Sequence, residues 1–387
     1  MRKICIFTGT RAEYGLLQSL MEEIEKDPEL CLETLVSGMH LSPEFGMTCR
    51  LIEEGGFTIN EKVEVLLSSD TSSGISKSMG LGMITYSDAL ARLDPDLLVV
   101  LGDRFETFSV VSAALVSNIP VAHIHGGEVT IGAMDDAFRH AISKMSHLHF
   151  TCSKVYRKRV IQLGEHPDRV FNVGGLGVEN IKKISLMAED ELKKQVGFLA
   201  GDTYFLVTFH PVTLEKHKTR TQFEQLLAAI MDKRFQDFKI IITQANADIK
   251  GRMINNMIDD VVTKNHGQII SFSTMGQLRY LSAMKYSAAV IGNSSSGILE
   301  APAFKVPVVN IGKRQKGRIN AKNVINCACQ KNDIIVSIEK AISQAFKTSL
   351  KPMTNPFEQP DTAATIKNII KNFNLSDITL KEFYDYE

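Results

Sequence analysis

Apolar residues in this chain fall into short consecutive runs, separated by longer stretches in which they recur every three or four positions. In the first half the runs are "KICIFTG", "LETLVSG", "DLLVVLG", "PVAHIHG", "LHFTCS" and "VFNVGG". In the second half they are "YFLVTFH", "FKIIITQ", "QIISFS", "AAVIGNS" and "VPVVNIG". They are rich in β-branched residues and apolar at successive positions, as strands buried on both faces of a parallel sheet must be. Between them, "YGLLQSLMEEIEKD", "SDALARL", "TFSVVSAALVSN", "DDAFRHAISKM" and "RTQFEQLLAAIMDKRF" carry the helical period. Such alternation predicts an α/β protein with doubly wound parallel sheets. A charged, helical stretch, "GVENIKKISLMAEDELKKQVGFLAGDT", separates the two series and reads as a crossing between two Rossmann-like domains. The expected division is 1–176, 177–360 and a closing segment 361–387 of one or two helices that packs back on the first domain.

The polar residues gather in the turns that leave the strands: "TGTRAE", "SGMHLS", "GDRFE", "HGGE", "FHPVT", "QANAD", "GNSSSG" and "GKRQKGR". Parallel sheets bind ligands at the carboxyl ends of their strands, where helix N-termini also point. Two such edges facing each other would form one cleft. Composition narrows the ligand. Lysine plus arginine (44) equals aspartate plus glutamate (44), so no net field draws the chain to nucleic acid or an acidic membrane. The first residues contain no secretory apolar core, and nowhere is there an uncharged apolar stretch of about 18 residues. The six cysteines are scattered; Cys5 and Cys152 sit in strand-like runs as buried thiols, and Cys327 and Cys329 are too close for a usual zinc pair. The expectation is a reduced, cytoplasmic protein with no metal and no cofactor.

"GNSSSGILEAPAF" runs from a strand through small hydroxyl residues into a helix. Ser294, Ser295, Ser296 and the close backbone approach at Gly297 could hold a diphosphate at the positive end of the helix dipole. Glu300, a turn later, could take the hydroxyls of a ribose. The plainer alternative is an ordinary Ser/Gly cap. Neither this segment nor "GTRAEYG" has the P-loop or G-x-G-x-x-G spacing, which weakens a dehydrogenase reading. "NIGKRQKGR" adds four cations, of which Arg314 could stack on a base or fork onto phosphate; a solvated basic loop is the alternative. Arg11, Arg104, His210 and Asn246 join the candidate substrate contacts from their own strand-end turns.

The first half supplies acid and base candidates. Asp103 and Arg104 leave one strand, His123, His125 and Glu128 the next, and Asp135 and Asp136 open the following helix. Asp135 and Asp136 could simply favour the helix dipole, with Arg139 or His140 neutralising either. His123 reads best as a core histidine bonded to backbone. Carboxylates converging in a semi-closed site push their pKa values apart, which suits one to take a proton and another to give one. No Ser–His–Asp or Cys–His spacing suggests a covalent nucleophile.

With "TGTRAEYG", "SGMHLSPEFG", "LGDRFE", "HIHGGE", "DDAFRHAISKMSHLHF", "QLGE", "FHPVT", "GNSSSGILEAP" and "NIGKRQKGR" in register, the chain resembles the UDP-N-acetylglucosamine 2-epimerase family of glycosyltransferase-B architecture. It is most similar to the hydrolysing branch that feeds bacterial sialic acid synthesis. The resemblance implies a base that removes the sugar C2 proton while UDP leaves C1, then addition of water to the 2-acetamidoglucal to give N-acetylmannosamine. It implies Asp103, Glu128 and Asp135 as the acid/base set, and Arg11, His210, Ser294, Ser295, Glu300 and Arg314 as UDP contacts; His210 is also a catalytic candidate. Other branches carry glutamate where this chain has His125, so His125 could share the acid duty with Glu128. The substrate expected is a UDP-linked N-acetylhexosamine, and the family is commonly homodimeric. The same chemistry on UDP-N,N'-diacetylbacillosamine or a GDP-linked sugar, a glycosyltransferase of the same architecture, and a non-catalytic sugar-nucleotide sensor are the alternatives.

Overall fold

The computed structural model of the chain describes residues 1–67, 69, 71–212, 218–246 and 250–386, so Thr213 of "FHPVT" and Ala247 and Asp248 of "QANAD" lie outside the described residues. It divides into two compact units: Met1–Glu128, Met134–Asn180 and Phe357–Glu387 form the first, and Val129–Ala133 with Ile181–Pro356 the second.

The first unit is built on strands β1 (Arg2–Thr8), β2 (Leu30–Ser37), β3 (Glu61–Val63), β4 (Leu97–Leu101), β5 (Val121–Ile124), β6 (Leu148–Thr151) and β7 (Val170–Asn172). They pair in the order β3-β2-β1-β4-β5-β6-β7, every pair parallel. Alternate residues of one strand enter different cores. Ile4 and Ile6 of β1 pack with Leu17, Leu20, Ile366 and Ile370, whereas Cys5 and Phe7 pack with Tyr86, Leu90, Val110 and Val111. Both faces are therefore covered, which is why the strand reads as an unbroken apolar run rather than an alternating one. The C-terminal helix Thr362–Asn372 belongs to this unit. Its Ala363 N–H donates to the Glu179 carboxylate at 2.7 Å, and Lys367 and Lys371 reach Asp27 at 3.1 and 2.9 Å.

The second unit repeats the plan with β8 (Thr203–Thr208), β9 (Phe238–Thr243), β10 (Ile269–Phe272), β11 (Ala289–Gly292), β12 (Val308–Ile311) and β13 (Val324–Cys327). The order is β10-β9-β8-β11-β12-β13, again all parallel. Phe205 and Val207 face one core, Tyr204 and Leu206 the other. The crossing segment becomes two helices, Leu176–Lys183 and Glu189–Val196.

Each sheet reverses its winding once, between β1 and β4 in the first unit and between β8 and β11 in the second. At such a point neighbouring connections leave in opposite directions and open a crevice at the carboxyl ends of the strands. Thr10–Glu13 and Asp103–Arg104 follow the first pair; His210 and Ser294 follow the second. Two strands lacked a sequence signal: β3 ("EKV") and β13 ("VINC"), which lie at sheet edges and carry polar residues. The helix Ser72–Leu93 was legible only in its last turns, because Gly74, Gly80 and Gly82 depress the helical propensity of the rest. Among the described residues, no helix is long and apolar enough to cross a membrane.

Candidate active site

The first unit gathers its carboxylates around one guanidinium. Arg139, one turn into the helix Asp135–Met145, is buried (3% exposed) and forms an ion pair with Asp103 and a second at 3.6 Å with Asp136. Burial opposes its charge, but Asp103, Glu128, Asp136 and Asp135 together outweigh that and hold its pKa above the ordinary value. Asp103, which follows β4, and Glu128 and Asp135, which both lie in the connection after β5, thus act on one cation. Asp136 also faces His140 at 3.8 Å, whose pKa burial depresses.

His123 is the core histidine expected. Its Nε2 lies 2.8 Å from the Gly102 carbonyl and its Nδ1 3.0 Å from the Ser143 hydroxyl, and burial drives its pKa down to about 3. His125 behaves otherwise. It is buried, its backbone is left-handed (φ +68°), and its Nδ1 lies 2.7 Å from Oε1 of Glu128. The thiol of Cys152, just beyond β6, donates to the same oxygen at 3.3 Å. Among the described residues, His125, Glu128 and Cys152 form the one group able to hold a metal ion, with donor atoms within 4.8 Å of one another.

The loop after β1 is not a phosphate cradle. Glu13 is buried and accepts the N–H groups of Gly9 (2.7 Å) and Thr10 (3.1 Å), closing a capping box on the helix Arg11–Glu25. The amides an anion would need are occupied by this carboxylate. Burial raises the Glu13 pKa to about 8, with Arg104 lowering it and Glu106 raising it. Arg104 donates to both oxygens of the buried Glu106 at 3.2 and 3.3 Å, so part of its guanidinium serves this cluster. Arg11, on the first turn of the helix, lies near enough to His40 to help burial hold that imidazole at about 4.

In the second unit the candidates are organised by Asn293, which carries no mark of function in the sequence. Its side chain takes both backbone groups of His210, accepting the N–H at 2.7 Å and donating to the carbonyl at 2.8 Å. Its own carbonyl accepts Arg314 Nη1 at 3.1 Å and Gln315 Nε2 at 2.8 Å. The turns after β8, β11 and β12 are thereby tied into one rim. Ser294 caps the helix Ser295–Leu299, its hydroxyl 3.0 Å from that of Ser296, which in turn is 2.6 Å from the Tyr280 hydroxyl. That helix has five residues, so it offers less dipole than the sequence suggested. Gly297 packs against β12 with no room to spare; a Cβ there would come within 3.0 Å of Val308. Glu300 follows, half-buried, with burial pushing its carboxyl up to about 7. Asn246 is half-buried just after β9.

With this geometry in hand, comparison with known proteins is decisive. A sequence profile of the family described as UDP-N-acetylglucosamine 2-epimerase matches residues 22–371. The chain belongs to this family. It is 43% identical over 385 residues, covering 99% of each chain, to a Campylobacter jejuni protein named GDP/UDP-N,N'-diacetylbacillosamine 2-epimerase (hydrolyzing). It is 38% identical to the Escherichia coli polysialic acid biosynthesis protein P7, covering 100% of this chain and 98% of that one. Among solved structures, the Methanocaldococcus jannaschii UDP-GlcNAc 2-epimerase in complex with UDP-GlcNAc and UDP superposes with a TM-score of 0.80 at 20% identity, covering 95% and 99% of the two chains. The fold is that of the family's two-domain glycosyltransferase-B architecture, and the protein is an enzyme of the hydrolysing 2-epimerase type.

Several residues of the candidate site carry no mark of function in the sequence. Thr10-x-x-Glu13 is a capping-box spacing, so Glu13 was recoverable. The sequence marks Arg139 only as a possible neutraliser and Cys152 only as a buried thiol. Asn293 and Gln315 sat inside quoted motifs without any feature to mark them.

Proposed function

We propose that the enzyme converts UDP-N-acetylglucosamine to N-acetylmannosamine and UDP, by elimination across C1–C2 followed by hydration. The observation that carries this reading is the convergence of Asp103, Glu128 and Asp135 on the buried Arg139. Sugar C2–H is a poor acid, so its removal needs a positioned base and a stabilised leaving group together. In the first step a carboxylate takes the C2 proton, the C–H electron pair becomes the C1=C2 bond, and the C1–O bond to UDP breaks. In the second, water delivers hydroxyl to C1 while an acid returns a proton to C2 on the opposite face. Arg139 keeps several carboxylates tolerable in one place, and Asp103, with its side chain 21% exposed, is open enough to exchange protons. Ser294, Ser295, Ser296 and Gly297 are assigned to the diphosphate, with Arg314, Arg11 and Arg104 as cations. Glu300, whose carboxyl burial pushes up to about 7, and Asn246 are assigned to polar groups of the nucleoside. His210, clamped by Asn293, is assigned to the leaving phosphate.

A second substrate is favoured by the name of the 43% identical relative: UDP- or GDP-linked N,N'-diacetylbacillosamine, whose extra acetamido group leaves the C1–C2 chemistry unchanged. Equal amounts of the two nucleotide sugars in one reaction rank them directly. We also place the enzyme in the cytoplasm, as a homodimer. All six cysteines are free thiols, and Ile84, Leu115 and Val116 are exposed on the helices Ser72–Leu93 and Phe105–Val116.

The acid/base assignment is tested by Asp103→Asn and Asp135→Asn. Each removes a titratable group at nearly constant volume, so turnover should fall at least ~100-fold while calorimetric UDP affinity stays at the wild-type value. Turnover retained in both variants contradicts the assignment.

A further inference from the structure

The thiol of Cys152 is buried (1% exposed), and nothing in the proposed reaction yet uses it. It sits with His125 on one oxygen of Glu128, the thiol at 3.3 Å and the imidazole Nδ1 at 2.7 Å. Two arrangements could explain so close a trio: a metal site with the proton positions exchanged for an ion, or a carboxylate held by two donors.

Three observations decide between them. A metal-bound imidazole hands its other N–H to an acceptor, yet Nε2 of His125 is buried with no hydrogen-bond partner among the described residues. The guanidinium of Arg139 already acts on Glu128, and that positive charge opposes a divalent ion beside it. Finally, the 2.7 Å separation of Nδ1 and Oε1 is that of a charge-assisted hydrogen bond, closer than two ligands of a tetrahedral ion approach one another. If Nδ1 carries the proton shared with Glu128, a neutral imidazole has no proton left to place on Nε2.

We propose that Cys152 is a positioning residue: together with His125 it holds Glu128 ionised and in a single orientation. This rests on the epimerase reading, in which Glu128 belongs to the acid/base set. Donors onto a carboxylate favour its charged form, so Glu128 enters the reaction as a proton acceptor. His125 makes this contact from a backbone with φ +68°, a conformation uncommon outside glycine that the surrounding contacts must maintain. Among the described residues, the charged and titratable groups near the trio include Arg139, acting on Glu128; His123, whose titration His125 influences; and Arg159, which donates to the Gly127 carbonyl.

Cys152→Ala and Cys152→Ser test the proposal, because serine keeps a donor and alanine does not. In the alanine variant kcat/KM should drop about tenfold, from loss of one hydrogen bond to a charged group, with UDP affinity unchanged. The low-pH limb of its kcat/KM profile should move to higher pH, since a carboxylate that loses a donor takes up a proton sooner. Serine should restore both. A profile for Cys152→Ala that superimposes on wild type overturns the proposal. The infrared S–H stretch of Cys152 provides a reading that needs no turnover. It should lie below that of a thiol without an acceptor and move back in Glu128→Leu, which removes the accepting oxygen. An unshifted stretch in an active enzyme overturns the positioning role alone, whereas absence of turnover with a shifted stretch overturns the epimerase reading alone. A thiolate-to-cobalt(II) absorption band in the wild type, absent in Cys152→Ser, overturns the proposal in favour of the metal site.

Discussion

Glu13 shows how far a single side chain can depart from its solution chemistry. Its carboxyl ordinarily titrates at 4.5, yet burial carries it to about 8 while it caps the first helix. A group whose folded pKa is raised contributes stability that is complete below its unfolded value and is lost as pH climbs through the folded one. The relevant window is therefore about 4.5 to 8. Glu13→Gln keeps an acceptor for Gly9 and Thr10 but abolishes the titration. Its melting temperature should match wild type near pH 4.5 and rise above it progressively towards pH 8. A difference in melting temperature that is independent of pH would show that Glu13 does not titrate in that window. Residues of this kind were unevenly legible. Asp103 and Glu128 stand out because carboxylates just past strand ends have few structural uses, whereas Asp135 opens a helix, where the dipole alone accounts for a carboxylate. Cys152 and Asn293 do not stand out, because a thiol and an amide acquire their meaning from partners 24 and 83 residues away. Arg104 was legible as a strand-end cation, but its pairing with Glu106 follows from a helix start that only the fold supplies.

At the scale of elements, the sequence carried most of the architecture, since central strands of parallel sheets are apolar on consecutive positions and helices between them are not. What failed were edges and glycine-rich helices: β3 and β13 bury little and so need no apolar run. The turn after β11 shows why a strand must end where it does. Gly292 has φ +140°, and a Cβ there would overlap the Thr208 carbonyl of the neighbouring strand. Gly292→Ala should cost about 2–4 kcal/mol of stability, the range of strong backbone and packing defects, measured by urea unfolding. It should also weaken UDP binding, because Asn293 and Ser294 follow directly. A stable variant with normal UDP affinity would mean that this turn tolerates displacement. A second feature was invisible in the sequence. Val129–Ala133, the five residues between Glu128 and Met134, group with the second unit, where Arg318 donates to the Val129 carbonyl at 2.8 Å and the Thr130 hydroxyl at 3.2 Å. In the sequence Arg318 is one cation of a basic loop; its burial (9% exposed) and these partners make it a structural clamp.

Across the whole molecule, two parallel sheets of seven and six strands each place their polar turns at the carboxyl ends of their strands. One set is acidic and proton-bearing, the other small, hydroxylic and cationic. That division of chemistry is what an elimination of a nucleoside diphosphate from a sugar requires, and family membership agrees with it. The central claim is that the C2 hydrogen of the sugar is removed and replaced during turnover. Incubation with UDP-N-acetylglucosamine, and separately with UDP-N,N'-diacetylbacillosamine, in deuterated water followed by mass spectrometry of the free sugar measures this directly. The expected products, for at least one of the two substrates, are UDP and a 2-epimerised sugar bearing one non-exchangeable deuterium at C2. Free sugar of unchanged configuration without deuterium, or transfer of the intact sugar to an acceptor, would contradict it.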